Sequence, residues 1–262
     1  MKRERAAVLY CARTRAHDEV FIDITTRWHM TDYRWNVSET AADYDRLAPV
    51  IHPYYIELQD ELLGRLPQGT DDEFLVIDAG GGSGRLIERL LERFACANAI
   101  LVDQSEAFLA VAEKRLERFG GRVDFMVGRL QDNWLAALPR RPDVILSMSA
   151  IHHLDPEEKG RFYKSCHDAL APGGVLMNGD EVRQESDAEY RAHLEAWAAR
   201  MQEVAESRNL SEPMRRTLAG WKRRNVDQFD LPKSSGDDCH EKVEIQLDYL
   251  RDAGFAEVSG PW

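Results

Sequence analysis

Cysteine is scarce in this 262-residue chain, and the four present, Cys11, Cys96, Cys166 and Cys239, lie far apart. No Cys-x-x-Cys pair and no zinc-ligand spacing occurs, so neither a disulfide framework nor a structural zinc module is expected. Cys96 and Cys166 fall on apolar helix faces and read as small buried hydrophobes. Cys239-His240 is a lone pair of ligand types, and no metal site is expected. Long apolar runs are lacking as well. The N-terminus has no apolar stretch of signal-peptide length and no segment approaches membrane-spanning length, which predicts a cytoplasmic protein with reduced thiols and no membrane partner. Basic charge is in short supply: 34 Lys and Arg stand against 46 Asp and Glu, a formal net charge of -12. Binding a polyanion needs clustered cations. The basic spots at Met1 to Arg5, Arg215-Arg216 and Lys222 to Arg224 are short and read as solvated helix faces, so nucleic acid is not the expected partner. Internal repeats and low-complexity tracts are also lacking.

What the chain does have is a hydrophobic fraction of 44%, enough for a full core, and strands that alternate with helices. That order predicts an α/β fold, a doubly wound and mostly parallel sheet with helices on both faces. The most informative run is Phe74-Leu-Val-Ile-Asp-Ala-Gly-Gly-Gly-Ser-Gly-Arg-Leu. Phe74 to Ile77 reads as a buried strand closed by Asp78, and Arg85 to Cys96 reads as a helix with Leu86, Leu90, Leu91 and Phe94 on one face. Glycines between them let backbone amides approach a ligand. The dinucleotide fingerprint Gly-x-Gly-x-x-Gly fails in both registers, because its third glycine would fall on Arg85 or Ile87.

The pattern Asp78-x-Gly80-x-Gly82-x-Gly84 resembles the first motif of class I S-adenosylmethionine-dependent methyltransferases, of the small-molecule type. The resemblance implies a Rossmann-like sheet whose glycine turn, at Gly80, Gly81 and Gly82, packs under the methionine part of the cofactor. No pyrophosphate needs an amide cradle there, and Asp78 near the cofactor ammonium is physically sensible. Ala99 to Val102 predicts a second strand ending in Asp103, at the interval where an acid meets the ribose hydroxyls, with Gln104 beside it. After a third strand, Val123 to Val127, the family places residues that flank the adenine. Here they are Gly128-Arg129-Leu130, where relatives often carry an acid at position 129; the Leu130 amide remains able to read an adenine nitrogen. Met148 ends the fourth strand, Val144 to Ser147, on the cofactor side. Asp155, Pro156 and Glu158 predict a capped helix. Ala171-Pro-Gly-Gly breaks it before a fifth strand, Val175 to Asn178, which enters Gly179-Asp180-Glu181.

Four segments are expected. Residues 1–72 form an N-terminal arm and cleft-covering helices, and 73–182 the cofactor-binding core. Residues 183–240 form a helical cap with a long loop, and 241–262 the last helix and strand. In relatives an aromatic ahead of the first strand contacts the cofactor, and Tyr44 is the candidate. Trp28, Tyr33 and Trp35 form an aromatic approach to the same cleft. Stripes at Tyr190, Leu194, Trp197, Met201 and Val204, and at Met214, Leu218 and Trp221, predict two packed helices over the crevice. Phe255 to Val258 looks like the family's sixth strand. The family's antiparallel seventh strand is expected to be missing, so either the sequence is truncated at its C-terminal end or the edge is completed another way, for example by a partner chain of a homodimer or by the N-terminal arm.

Methyl transfer needs alignment more than activation. An acceptor hydroxyl or amine needs a base. His153 is the leading candidate and His152 the next, with Asp180 and Glu181 placed to orient the acceptor or pair with a histidine. Met148-Ser149-Ala150-Ile151 is not the Asn/Asp-Pro-Pro-Tyr type that serves planar nitrogens, so an oxygen or amine nitrogen of a small metabolite is expected. The alternatives are a tRNA-modifying or carboxylated-cofactor relative, a dinucleotide oxidoreductase, and a cofactor-binding protein without turnover. Replacing Asp103 with Ala is expected to weaken binding of S-adenosylmethionine, and of its product S-adenosylhomocysteine, substantially; unchanged affinity by calorimetry would refute the ribose assignment.

Overall fold

The structure, a computed structural model, describes residues 7–14 and 35–260. Trp28 and Tyr33 lie outside the described residues. In chain order the elements are β1 (Ala7–Arg13), α1 (Ser38–Ile51), α2 (Tyr55–Gly64), β2 (Leu75–Ala79), α3 (Arg85–Arg93), β3 (Asn98–Asp103), α4 (Glu106–Leu116) and β4 (Val123–Val127). There follow β5 (Val144–Met148), α5 (Pro156–Ala169), β6 (Val175–Glu181), α6 (Asp187–Ser207), α7 (Glu212–Lys222), α8 (Val243–Ala253) and β7 (Glu257–Ser259).

The strands form one sheet in the order β4-β3-β2-β5-β6-β1-β7. The pairs from β4 to β6 are parallel. Strands buried on both faces read as continuous apolar runs, and successive residues of β5 show the division: Val144 and Leu146 face one core, Ile145 the other. The first core holds the apolar stripes of α2, α3 and α4. The second holds Phe162, Tyr163 and Cys166 of α5 and Leu247, Leu250 and Ala253 of α8. This is the doubly wound α/β fold that the alternation predicts.

The place beside β6 is filled from the other end of the chain. β1 runs antiparallel between β6 and β7, with Tyr10 opposite Asn178 and Ala12 opposite both Leu176 and Val258. The N-terminal arm thus supplies an antiparallel strand where the family's seventh strand is expected. Within the chain, the edge that seemed unpaired is covered.

A third cluster lies off the sheet. Leu47 and Ile51 of α1 pack with Tyr190, Leu194, Trp197 and Met201 of α6 and with Met214 and Leu218 of α7. The Trp197 indole donates to the Ile51 carbonyl at 2.8 Å, tying the insertion to the N-terminal helix. Both stripes predicted for this region are therefore helix-packing faces. Among the described residues no helix is long and apolar enough to cross a membrane.

Local signals account for the boundaries. Asp155 accepts from the Glu158 amide while Glu158 accepts from the Asp155 amide, the reciprocal cap expected of this sequence. Cys166 is buried, but Cys96 is exposed, which corrects its expected burial. The reason is that α3 ends at Arg93, so Cys96 falls in the connection and not on the apolar stripe.

The stretch after α7 is held by side chains and backbone alike. Lys159, 0% exposed, donates to the Cys239 carbonyl and to Glu241 Oε2 at 2.7 Å. The Gly236 and Cys239 amides donate to the carbonyls of His153 and His152. Lys159→Met, which takes the cation from the Glu241 carboxylate and leaves it only the Gln246 and Tyr249 donors, is expected to cost about 3 kcal/mol. Urea unfolding checks this, and an unchanged midpoint would show that Lys159 does not hold the loop.

Candidate functional site

The turn after β2 requires glycine for two separate reasons. Gly80 and Gly82 have φ of +77° and +53°, where side chains are strained. Gly81 has an ordinary backbone, but a Cβ there would stand 2.6 Å from Leu101 Cγ and 2.7 Å from Asp78 Oδ2. The turn can thus lie directly on the buried Asp78 carboxylate. The Gly80 and Gly81 amides both donate to the Val102 carbonyl, fixing the turn to β3.

A cavity of about 500 Å³ opens at this turn, at the carboxyl ends of the strands. Asp78, Gly80, Gly81, Gly82, Asp103, Gln104, Arg129, Leu130, Met148 and Tyr44 all line it. His153 lines it too, whereas His152 and Asp180 do not. Trp35, Tyr44 and Phe108 form an aromatic corner, with ring centroids 4.9 Å apart for Trp35 and Tyr44 and 5.5 Å for Tyr44 and Phe108.

The two acids of the cavity differ in what they bond. Asp103 accepts from the Ser105 amide at 2.8 Å and the Gly82 amide at 2.9 Å. Burial raises its pKa to about 6, with these amides pulling the other way. Asp78 is 1% exposed, and its Oδ2 is buried without a hydrogen-bond partner. Burial, with the Asp103 charge adding to it, raises its pKa to about 7. Gln59, which also lines the cavity, donates nothing from its buried Nε2, although its Oε1 accepts from Arg89. An unsatisfied acceptor and an unsatisfied donor therefore both belong to residues of the cavity lining. Gln59 was missed in the sequence because nothing in the pattern of α2 sets it apart from a helix-surface amide.

Two nearby arginines are committed elsewhere. Arg85 donates to Asp45 Oδ1 at 2.9 Å, and Arg115 donates to both Asp45 oxygens at 2.8 Å and to the Ser83 carbonyl at 2.9 Å. Asp45 thereby clamps α1 onto the glycine turn and keeps Arg85 away from Asp78.

Behind the cavity wall lies a buried polar cluster. His152 Nδ1 is 2.6 Å from Asp180 Oδ1 and 3.3 Å from Glu181 Oε2. Burial opposes charge on His152, but Asp180 and Glu181 hold it protonated, well above the ordinary histidine range. Glu181 Oε1 is 3.1 Å from His52 Nδ1, and His52 Nε2 is 2.8 Å from the Tyr44 hydroxyl. Burial disfavours a charged Glu181, yet the two histidines keep its pKa well below the ordinary range. His153 Nδ1 lies 3.3 Å from the Asp237 carbonyl and 3.3 Å from Asp238 Oδ1. Ser149, between β5 and these histidines, has φ of +52° and bonds Glu181 through its hydroxyl at 3.2 Å. Such a strained non-glycine residue persists where neighbours overdetermine it.

Comparison with known proteins places this arrangement. Residues 76–174 match the family described as methyltransferase domain. That stretch carries a methyltransferase domain, consistent with the class I S-adenosylmethionine-dependent type. An uncharacterized methyltransferase of Oceanobacillus iheyensis is 28% identical over 168 residues, 64% of this chain and 70% of that one. The N-terminal Xaa-Pro-Lys N-methyltransferase 1 of Bos taurus is 34% identical over 111 residues, 42% of this chain and 48% of that one. A phosphoethanolamine N-methyltransferase 2 of Haemonchus contortus, solved with S-adenosylmethionine, shares the fold with a TM-score of 0.56 at 16% identity. That match covers 85% of this chain and 43% of the other. The methyltransferase family uses S-adenosylmethionine, and a cavity with a buried, unpartnered carboxylate under a glycine turn suits a ligand that carries an ammonium.

The Asp78 carboxyl, raised from 3.8 to about 7, keeps a proton that the unfolded chain has already released. Stability of the ligand-free protein therefore falls as pH rises between those values, while an ammonium ligand gains affinity. Below pH 7 that affinity is expected to drop roughly tenfold per pH unit. Calorimetry with S-adenosylhomocysteine from about pH 5 to about pH 8 checks the slope, and Asp78→Asn is expected to flatten it.

Proposed function

We propose that this chain transfers a methyl group from S-adenosylmethionine to an oxygen or amine nitrogen of a small metabolite. The observation that carries the reading is Asp78 Oδ2, a buried acceptor without a partner at the floor of the cavity. On this reading Asp78 takes the cofactor ammonium and the Gln59 amide the carboxylate next to it. Asp103 and Gln104 hold the ribose, and the Leu130 backbone with Arg129 flanks the adenine. Tyr44 and Met148 bracket the reacting end, where an electron-rich ring face suits a sulfonium.

The bound cofactor supplies an activated methyl group. The chain has to align the acceptor and receive its proton. His153 is the base on this reading because it lines the cavity, whereas His152 is walled off and already protonated by its acid partners. The role requires the tautomer with the proton on Nδ1, which faces Asp238 and the Asp237 carbonyl at 3.3 Å each, so that Nε2 is the ring's acceptor nitrogen. Asp180 then serves as the partner of His152, not as a group that meets the acceptor.

A small acceptor fits the way the cavity is covered. Tyr44 of α1 stands on one side, and Ser235 and Gly236 of the later loop on the other, with Ser235 bonded to Gln131 at 3.1 Å. The net charge of -12 opposes an RNA substrate.

Incubation with isotope-labelled cofactor and cell extract should place label in the small-molecule fraction. Label confined to RNA or protein would refute the acceptor class, and no transfer would refute turnover. His153→Ala should lower kcat by roughly 100-fold or more with cofactor affinity unchanged; an unaltered kcat would remove His153 from the role of base.

A further inference from the structure

The stretch Asp237 to Glu241 brings two metal-ligand side chains against the histidine pair that follows β5. His152, Asp238 and His240 are all buried, and one ligand atom from each lies within 4.8 Å of the others. The rings of His152 and His240 are 5.1 Å apart, and His152 Nε2 is 3.9 Å from Asp238 Oδ1.

The outer bonds of these residues decide which atoms face the shared point. His152 has its Nδ1 engaged by Asp180 at 2.6 Å, and His240 has its Nδ1 engaged by the Tyr190 hydroxyl at 2.7 Å. Asp238 Oδ2 accepts from the Asn225 amide at 2.8 Å. What remains is the Nε2 of each imidazole and Asp238 Oδ1, an oxygen that His153 Nδ1 also approaches at 3.3 Å and that has lone-pair capacity left for a cation. His240 Nε2 is buried and has no hydrogen-bond partner, and the side chain is only 8% exposed. Leaving a buried ring nitrogen unsatisfied costs free energy. A cation at the shared point would relieve that cost.

We propose that His152, Asp238 and His240 bind one divalent first-row transition-metal ion, with Asp180, Tyr190 and Asn225 as the outer partners that orient them. Imidazoles whose second nitrogen is pinned by a carboxylate or hydroxyl are the usual form of such ligands. Two imidazoles and one carboxylate suit zinc or iron, whereas magnesium and calcium demand more oxygen ligands. Ligands at about 2.1 Å in a tetrahedral shell stand roughly 3.4 Å apart, so the 3.9 Å gap needs to close by only a few tenths of an ångström. Binding displaces the Nε2 proton of His152.

The neighbouring group of His152, Asp180 and Glu181 is a poorer site. Its acids are already spent on the His152 ring and amide, on His52 and on Ser149. Nor is Cys239 a ligand, because its thiol donates toward the Ser234 carbonyl. Access exists: Asp238 and His240 line a second cavity of about 470 Å³. Asp238 also bonds His153, so the ion would stand one side chain behind the cofactor cavity. Three protein ligands leave a fourth position for water or another oxygen.

The inference stands apart from the methyltransferase reading and is tested by metal binding alone. The full chain, stripped with a chelator, is titrated calorimetrically with Zn²⁺, and the Co²⁺ form is examined by visible absorption. One equivalent bound at micromolar or tighter affinity, with ligand-field bands for Co²⁺, is expected. His240→Ala should abolish stoichiometric binding, and Tyr190→Phe, which keeps the ring packing, should weaken it about 10-fold. Circular dichroism and S-adenosylhomocysteine binding serve as folding controls. No stoichiometric binding by the wild type, or binding undiminished in both variants, would overturn the proposal. Metal binding without any affinity for S-adenosylhomocysteine would uphold it while refuting the cofactor reading.

Discussion

Two carboxylates buried at the end of adjacent parallel strands set the terms for everything around them. Burial raises the cost of ionising both Asp78 and Asp103, and at Asp78 the Asp103 charge adds to it. The protein offers amides to Asp103 and leaves one oxygen of Asp78 with nothing. A domain that tolerates this either keeps a proton on Asp78 or waits for a cation. The arginines that might have neutralised it, Arg85 and Arg115, are drawn off by Asp45. That diversion has a second effect, since it fastens α1 over the glycine turn. One unsatisfied charge and one clamp thus shape both the floor and the cover of the same cavity.

The polar groups behind the wall play a different part. Glu181 joins His52 to His152, and Asp180 holds His152 through both ring and amide, so the residues after β5 are anchored to the end of β6. Only His153 of the pair reaches the cavity. Neighbouring histidines in sequence therefore have opposite surroundings, one locked in an ion-pair network and one facing the ligand space. This division follows from the short helix that carries them, in which successive side chains point in different directions.

Much of the fold was legible because its signals are local. The apolar runs, the glycine turn, the Asp155 cap and the Ala171-Pro-Gly-Gly break each depend on a few adjacent residues, and the elements follow from them. Residues expected near the cofactor line the cavity because strand ends and turns carry them there. What stayed hidden depends on distant pairing. Nothing near Ala7–Arg13 marks it as a partner of β6, since an apolar run of that length fits many positions. Asp238 and His240 sit in a stretch with no periodicity, and their meeting with His152 exists only once Lys159 draws that loop onto α5. Gln59 looks like any helix amide until the fold makes it line the same cavity as Asp78. Cys96 misled because an apolar stripe was carried three residues past the end of its helix.

Chain synthesis runs in one direction, and β1 is made first. Its two partners, β6 and β7, lie at the far end of the described chain. A nascent polypeptide must therefore keep an unattached strand waiting while the parallel core assembles without it, and ordering over so long a loop is slow. β1 can complete its pairing only after both β6 and β7 have been made, so the sheet's antiparallel margin joins two stretches of chain that are distant in sequence.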